Sequence, residues 1–374
     1  MVISGALFPL IFLAGTAFLV ALCSVVLFIP HVREFALRIG AFQEGGSEHG
    51  GGRRIHSGKL PNIGGLGILG GFLLAVLVGF LIRPDLLDGM RVEVLSIVLG
   101  ACLLALVGFM DDMWDLAPYM RLASQFVAAG ILVLNGVRIE FITDFFSGQG
   151  YVFVPEALAV AVTVLWVVGF TNAFNFIDGL DGLSSGIAAI SSMCLLAVAL
   201  QFGDRGAAVL LLAALAGASL GFLRHNFSPA KIIMGDSGAY LIGYVLAATS
   251  VLGALKVTAA VTVAAPILVL ALPVVNITQV TVRRLRRGAN PVQASNDHLH
   301  DLIRVRSGSK NLTVLLLWSA TLLLGILGMM LSATPPLLMY TTIAAAVTLT
   351  AAVVLLRLRE VHRDQLHREQ LPGG

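Results

Sequence analysis

The sequence predicts an all-α polytopic membrane protein of about eleven transmembrane helices, with ten as the lower count. Three observations predict it. The 374 residues are 57% hydrophobic and only 12% charged, where a soluble chain carries roughly 25% charged residues. Apolar runs of spanning length recur along the chain. Forty glycines suit helices that pack closely without water between them. A single domain over residues 1–374 follows, because helices of about 20 residues each use this length as one bundle.

In order, the runs are Ala6–Ile29, Ile63–Ile82, Val92–Phe109, Leu122–Leu134, Glu156–Phe170, Ser184–Leu200, Ala207–Phe222, Ala239–Leu252, Val257–Val282, Leu312–Leu331 and Pro336–Leu356. No Lys or Arg precedes Arg33, so the first reads as a spanning helix rather than a cleaved signal. The fourth, fifth and eighth are short and need flanking residues to cross about 30 Å of hydrocarbon. Gly45–Gly52 is glycine-rich and reads as a flexible loop. Cys23, Cys102 and Cys194 each sit in an apolar run, which gives packing residues rather than a disulfide framework or a metal spacing.

The net charge of +3 gives no footprint for nucleic acid. Its distribution is informative. Of the 24 Lys and Arg residues, all but Arg83, Arg91, Arg138, Arg205 and Lys256 fall in alternate loops (about 30–61, 110–121, 172–183, 224–237 and 283–311) or in the C-terminal tail. Cytoplasmic loops carry the positive excess, so the N-terminus is expected outside and the C-terminus in the cytoplasm. The polar motifs fall on the same cytoplasmic side.

Asp111, Asp112 and Asp115 close the third helix. Carboxylates there oppose the helix dipole and one another, so either a cation or a solvated acidic turn is expected. Asn172, Asn175 and Asp178 form a slowly drifting stripe at every third position, and the pairs Asp178-Gly179 and Asp181-Gly182 permit a tight turn close to a ligand. Carboxamide and carboxylate oxygens suit a hard divalent cation; interhelical hydrogen bonding is the alternative for a single Asn. In Met234-Gly-Asp236-Ser237, Asp236 or Ser237 serves as an N-cap, or the helix start binds phosphate or metal. His298 and His300 share one side only if their segment is extended. Arg283–Arg287, and equally Arg53, Arg54, His56 and Lys59, either anchor the chain at acidic headgroups or hold phosphate. Together these residues are suited to metal-assisted phosphoryl transfer between a soluble anion and a lipid.

Arg54-Ile-His56 with Pro61-Asn-Ile-Gly-Gly65, Asp111-Asp-Met-Trp-Asp115, Asn172 through Leu183, Asn226-Phe-Ser-Pro229 with Met234-Gly-Asp-Ser-Gly238, and His298-Leu-His300 jointly resemble the polyprenyl-phosphate N-acetylhexosamine-1-phosphate transferases. Asp115 and the isolated His-x-His favour the GlcNAc branch over the peptidoglycan translocase, which stays as an alternative. A membrane transporter is the alternative from another class. Ser295-Asn296, Asp301 and the loop before Arg53 depart from the usual pattern and bear on the donor sugar rather than the reaction.

The resemblance implies transfer of GlcNAc-1-phosphate from a UDP-N-acetylhexosamine to undecaprenyl phosphate, with release of UMP, at the cytoplasmic face of a bacterial inner membrane. It implies Mg²⁺, with Mn²⁺ as a substitute, on Asp236 with Asn175 or Asp178. Asn172, Asp178, Gly179, Asp181 and Asn226 would bind the donor, with Asp181, Gly179 and Asn226 at the uridine. Asp111 and Asp112 would lie by the lipid phosphate, one of them as its base. His298 and His300 would approach the sugar-phosphate, and His56, Lys59 and Arg121 are candidate anion contacts. Membrane lipids are the surroundings, nucleic acid is not a partner, and a homodimer is one assembly open to the chain.

Overall fold

The computed structural model describes residues 7–44, 59–144, 150–202, 204–254, 264–286 and 298–370. His56 lies outside the described residues, and only the backbone of Lys59 is described. The helices are α1 (Leu7–Ile39), α2 (Gly64–Ile82), α3 (Arg91–Trp114), α4 (Pro118–Leu134), α5 (Glu156–Ile177), α6 (Leu183–Leu200), α7 (Gly206–Asn226), α8 (Gly235–Ala254), α9 (Ala264–Val269), α10 (Ala271–Arg286), α11 (Leu299–Ser307), α12 (Lys310–Leu331) and α13 (Pro336–Gln370). Among the described residues eight helices are long and apolar enough to span a membrane. The 17-residue α4 and the 20-residue α8 stand among them in the bundle. The protein is a multi-pass membrane protein.

Each of the eleven predicted runs corresponds to helix, with one correction. The ninth is not continuous: in its described part α9 ends at Val269 and α10 starts at Ala271. Pro273 fits the break, because it has no N–H to donate to the Val269 carbonyl and sits in the first turn of α10, where that donor is not needed; Pro30, by contrast, lies inside the continuous α1. The short helix α11 lies in the predicted loop 283–311, and α1 runs on past Ile29 to Ile39. Two small antiparallel hairpins, β1 (Phe42–Glu44) with β2 (Lys59–Pro61) and β3 (Phe141–Asp144) with β4 (Gly150–Phe153), add to the helices.

Helix α7 is the axis of the bundle. Its whole apolar window is buried, and it packs on α1, α2, α6, α8 and α13. Its alanines, glycines and serine allow this on every side, because short side chains let neighbouring backbones approach. The outer helices instead turn large side chains outward, such as Phe8, Leu81, Leu99, Leu165 and Leu323, the surface expected of a bundle whose solvent is lipid.

Candidate active site

Five polar segments meet at one end of the bundle. The chain after β2 lies along the turn that leads into α8: Ile233 donates its N–H to the Pro61 carbonyl (2.8 Å), and Gly64 and Gly65 donate theirs to the carbonyls of Ile233 (3.0 Å) and Met234 (2.9 Å). Two segments some 170 residues apart in sequence, about the separation of Pro61 and Ile233, thereby form one wall.

The last turn of α3 supplies the second wall. Asp112 turns its carboxylate onto the start of α8, where Oδ1 accepts the Asp236 N–H at 2.8 Å and Oδ2 accepts the Ser237 N–H at 3.2 Å. The capping group of α8 therefore comes from another helix, and Asp236 and Ser237 occupy the first turn rather than the N-cap. Gly235 makes this fit achievable. Its φ is +72°, and a Cβ there would stand 1.9 Å from the Asn62 carbonyl oxygen and 2.5 Å from Asp112 Oδ2. Asn62 in turn donates to the Asp112 carbonyl at 3.2 Å.

Asp111 is buried beside it. Its Oδ1 accepts the Leu116 N–H (2.8 Å), and its Oδ2 accepts from Arg121 Nη1 (3.1 Å) and the Tyr240 hydroxyl (3.4 Å). The Arg121 guanidinium also stands 4.0 Å from Asp236 Oδ2, between the two carboxylates. Asp115, the third acid of that turn, ends α3 in the left-handed region at φ 49°.

Asn175, in the last turn of α5, donates to Asp236 Oδ1 at 2.5 Å. Asp236 is thus held by α5 and approached from α4 by Arg121. Asp111 and Asp236 face the same Arg121 Nη1, at 3.1 and 4.0 Å. Carboxylates so close repel each other, and a hard cation or a shared proton relieves the repulsion. The donors here are carboxylate and carboxamide oxygens, which fits Mg²⁺, although no group of three or more His, Cys, Asp or Glu side chains among the described residues stands ready to hold a metal.

The rest of the α5 stripe diverges. Asn172 is engaged with α4: its Nδ2 donates to Gln125 Oε1 at 2.5 Å and to the Val168 carbonyl at 2.8 Å. Asp178 follows the end of α5 and accepts from the Ser184 hydroxyl. Burial raises its carboxyl to about 6, with the Ser184 bond opposing and the Asp181 charge adding to the rise. Asp181 Oδ2 accepts the Ala230 N–H at 3.2 Å. Asn226, at the end of α7, accepts the Gly182 N–H at 2.9 Å and donates to the Ile232 carbonyl at 3.0 Å, so it locks the α5–α6 turn to the α7–α8 loop.

The histidines close the site from α11. Only His298 is extended (φ −69°, ψ 154°), as the N-cap of α11, while Leu299 and His300 are already helical; the rings meet all the same, stacked at 5.3 Å with 5° between the planes, so a wholly extended segment is not needed. Asn276 of α10 fixes them by accepting the Leu299 N–H at 2.9 Å and donating to the Phe176 carbonyl at 3.2 Å. His300 lies over Gly179, where a Cβ would come within 2.2 Å of its Nε2. Burial first, and then the charge of Arg304, lowers the imidazole to about 4. His300 is therefore neutral at pH 7, and its Nδ1 is buried without a hydrogen-bond partner among the described residues.

Sequence reasoning missed Gln125, Ser184, Tyr240 and Asn276, and it quoted Asn62 within a motif without giving it a role. Gln125 and Asn276 carried a signal, since each is a polar residue within a predicted helix, where an unsatisfied amide is costly.

The chain is similar to several known proteins. The sequence model described as glycosyl transferase family 4 matches residues 94–254, the stretch that holds α3 to α8. A probable undecaprenyl-phosphate N-acetylglucosaminyl 1-phosphate transferase of Bacillus subtilis is 31% identical over 303 residues, covering 81% of this chain and 80% of that protein. A decaprenyl-phosphate N-acetylglucosaminephosphotransferase of Mycolicibacterium smegmatis is 32% identical over 308 residues, with 77% and 74% covered. A phospho-N-acetylmuramoyl-pentapeptide-transferase of Desulforudis audaxviator is 33% identical over 267 residues, with 65% and 76% covered.

Proposed function

Because the chain belongs to glycosyl transferase family 4, we propose that it moves GlcNAc-1-phosphate from UDP-GlcNAc to undecaprenyl phosphate, releasing UMP, as a first membrane step of envelope glycan synthesis. The observation that carries this reading is Asp236, set at the start of α8 by Asp112, bonded to Asn175 and approached by Arg121.

The chemistry follows from the charges. A lipid phosphate is already an anionic oxygen nucleophile, so the barrier lies in bringing it against an anionic pyrophosphate. Asp236 and Asn175, the pair in contact, would hold Mg²⁺, or Mn²⁺ in its place, while Asp178 is engaged with Ser184; the ion would supply charge neutralisation at the pyrophosphate. Arg121 offers a cation to the incoming phosphate from between Asp111 and Asp236. Asp111 orients Arg121, and Asp112 fixes the start of α8; both act as positioning residues rather than as a base. Asp181, Gly182 and Asn226 shape the uridine side of the pocket. The neutral imidazole of His300 offers a hydrogen bond to the sugar-phosphate without adding charge, and His298 stacks beside it.

Product identity tests this. With purified protein, undecaprenyl phosphate and UDP-GlcNAc, UMP should form only when Mg²⁺ or Mn²⁺ is present, and chelator should stop it. UDP-MurNAc-pentapeptide should not replace the donor. UDP as the product would mean attack at the sugar carbon, and it or metal-independent turnover would refute the mechanism.

We also place the site at the cytoplasmic face, on the concentration of Lys and Arg in the loops that carry it. Val305, in α11, and Asp88, in the turn before α3, are both exposed. In a background without the three native cysteines, Val305→Cys should resist an impermeant thiol reagent in intact cells and Asp88→Cys should react. The reverse pattern would invert the topology.

A further inference from the structure

The C-terminal helix α13 lies outside the part of the chain that the family model matches, yet it carries a charged junction with the donor side of the site. Glu360 Oε2 accepts from Arg224 Nη1 at 2.6 Å and from Arg357 Nη1 at 3.0 Å, and its Oε1 accepts from Lys231 Nζ. One carboxylate thus serves three cations, drawn from the end of α7, the α7–α8 loop and α13 itself. Arg357 also donates to the Pro229 carbonyl at 2.5 Å and is 3% exposed.

The same loop is tied to the candidate site on its other side. Ala230, next to Lys231, donates its N–H to Asp181, and Asn226 accepts the Gly182 N–H. The loop is therefore held between Glu360 and the Asp181-Gly182 turn. An exposed ion pair contributes little. A partly buried carboxylate shared by three cations differs, because its loss leaves a buried guanidinium uncompensated and sets like charges against one another.

We propose that Glu360 is a positioning residue for the donor: by gathering Arg224, Lys231 and Arg357 it holds the Asn226–Lys231 loop against Asp181 and Gly182. This rests on the reading of that turn as the nucleotide side of the site. It does not involve the incoming lipid phosphate, to which Arg121 is offered, or Asp111 and Asp112, which position Arg121 and the start of α8.

The test uses the full chain in nanodiscs with Glu360→Gln, Glu360→Asp and Lys231→Gln. Steady-state turnover should give a KM for UDP-GlcNAc raised about tenfold in Glu360→Gln, with kcat and the KM for undecaprenyl phosphate within about twofold. Glu360→Asp should recover most of the loss. Lys231→Gln, which leaves no buried charge unpaired, should raise the donor KM in the same direction. Hydrogen exchange should quicken in Glu360→Gln over 178–184 and 224–233 and stay unchanged in α3. An unaltered donor KM with unaltered exchange would overturn the proposal. So would a fall in kcat with exchange quickened throughout the bundle, which would make Glu360 a general strut. If the wild type releases no UMP, the functional reading fails by itself, and the exchange experiment still decides whether Glu360 holds this loop.

Discussion

Replacing Asp236 with alanine should lower UMP release by on the order of 100- to 1000-fold, the range seen when one group that stabilises developing charge is deleted. The protein should still insert and keep its thermal stability. Asp236 is the acceptor for Asn175 and the second carboxylate facing Arg121, so its removal takes away the negative oxygen on which the proposed cation depends. It also removes one of several crowded acids, which relieves repulsion within the folded state. Activity and stability should therefore part. Turnover and a melting curve on the same preparation check this, and near-normal UMP release by Asp236→Ala would dismiss the site.

Asp112→Asn should cost both. An asparagine offers one acceptor oxygen where the carboxylate offers two, and its amide would set N–H against the N–H of either Asp236 or Ser237. The start of α8 loses part of its cap, worth about 1–2 kcal/mol of stability. A shift of about 1 Å in Asp236 is enough to lower turnover by on the order of 100-fold. The two acids, one at the end of α3 and one at the start of α8, are thus told apart by whether stability falls with activity. An Asp112→Asn protein that melts like the wild type but is inactive would return Asp112 to direct contact with substrate.

The sequence by itself determined the class, the number of apolar runs and the segments that carry polar chemistry. Hydropathy is a local property, since every residue in a spanning run must tolerate lipid or another helix whatever its partner. The one broken run coincides with a local feature as well, Pro273 in the first turn of α10. The candidate metal pair Asn175 and Asp236 was legible as residue types placed on one side of the membrane, though not as a contact.

Only the tertiary structure decided which polar groups meet. Asp112 looked like an acid for a substrate and is the cap of a helix that begins over 120 residues later. Asn172 was counted with the donor site and is bonded to Gln125. Glu360 lies in a tail that invited no functional reading and joins three cations. The reason lies in the helices themselves. Those such as α7 are apolar on every face, so their pattern carries no azimuth, and the side that meets a neighbour is set by where small residues let two backbones close. A residue's type fixes what charge or hydrogen bond it can offer. Its partner is fixed only when the helices have packed.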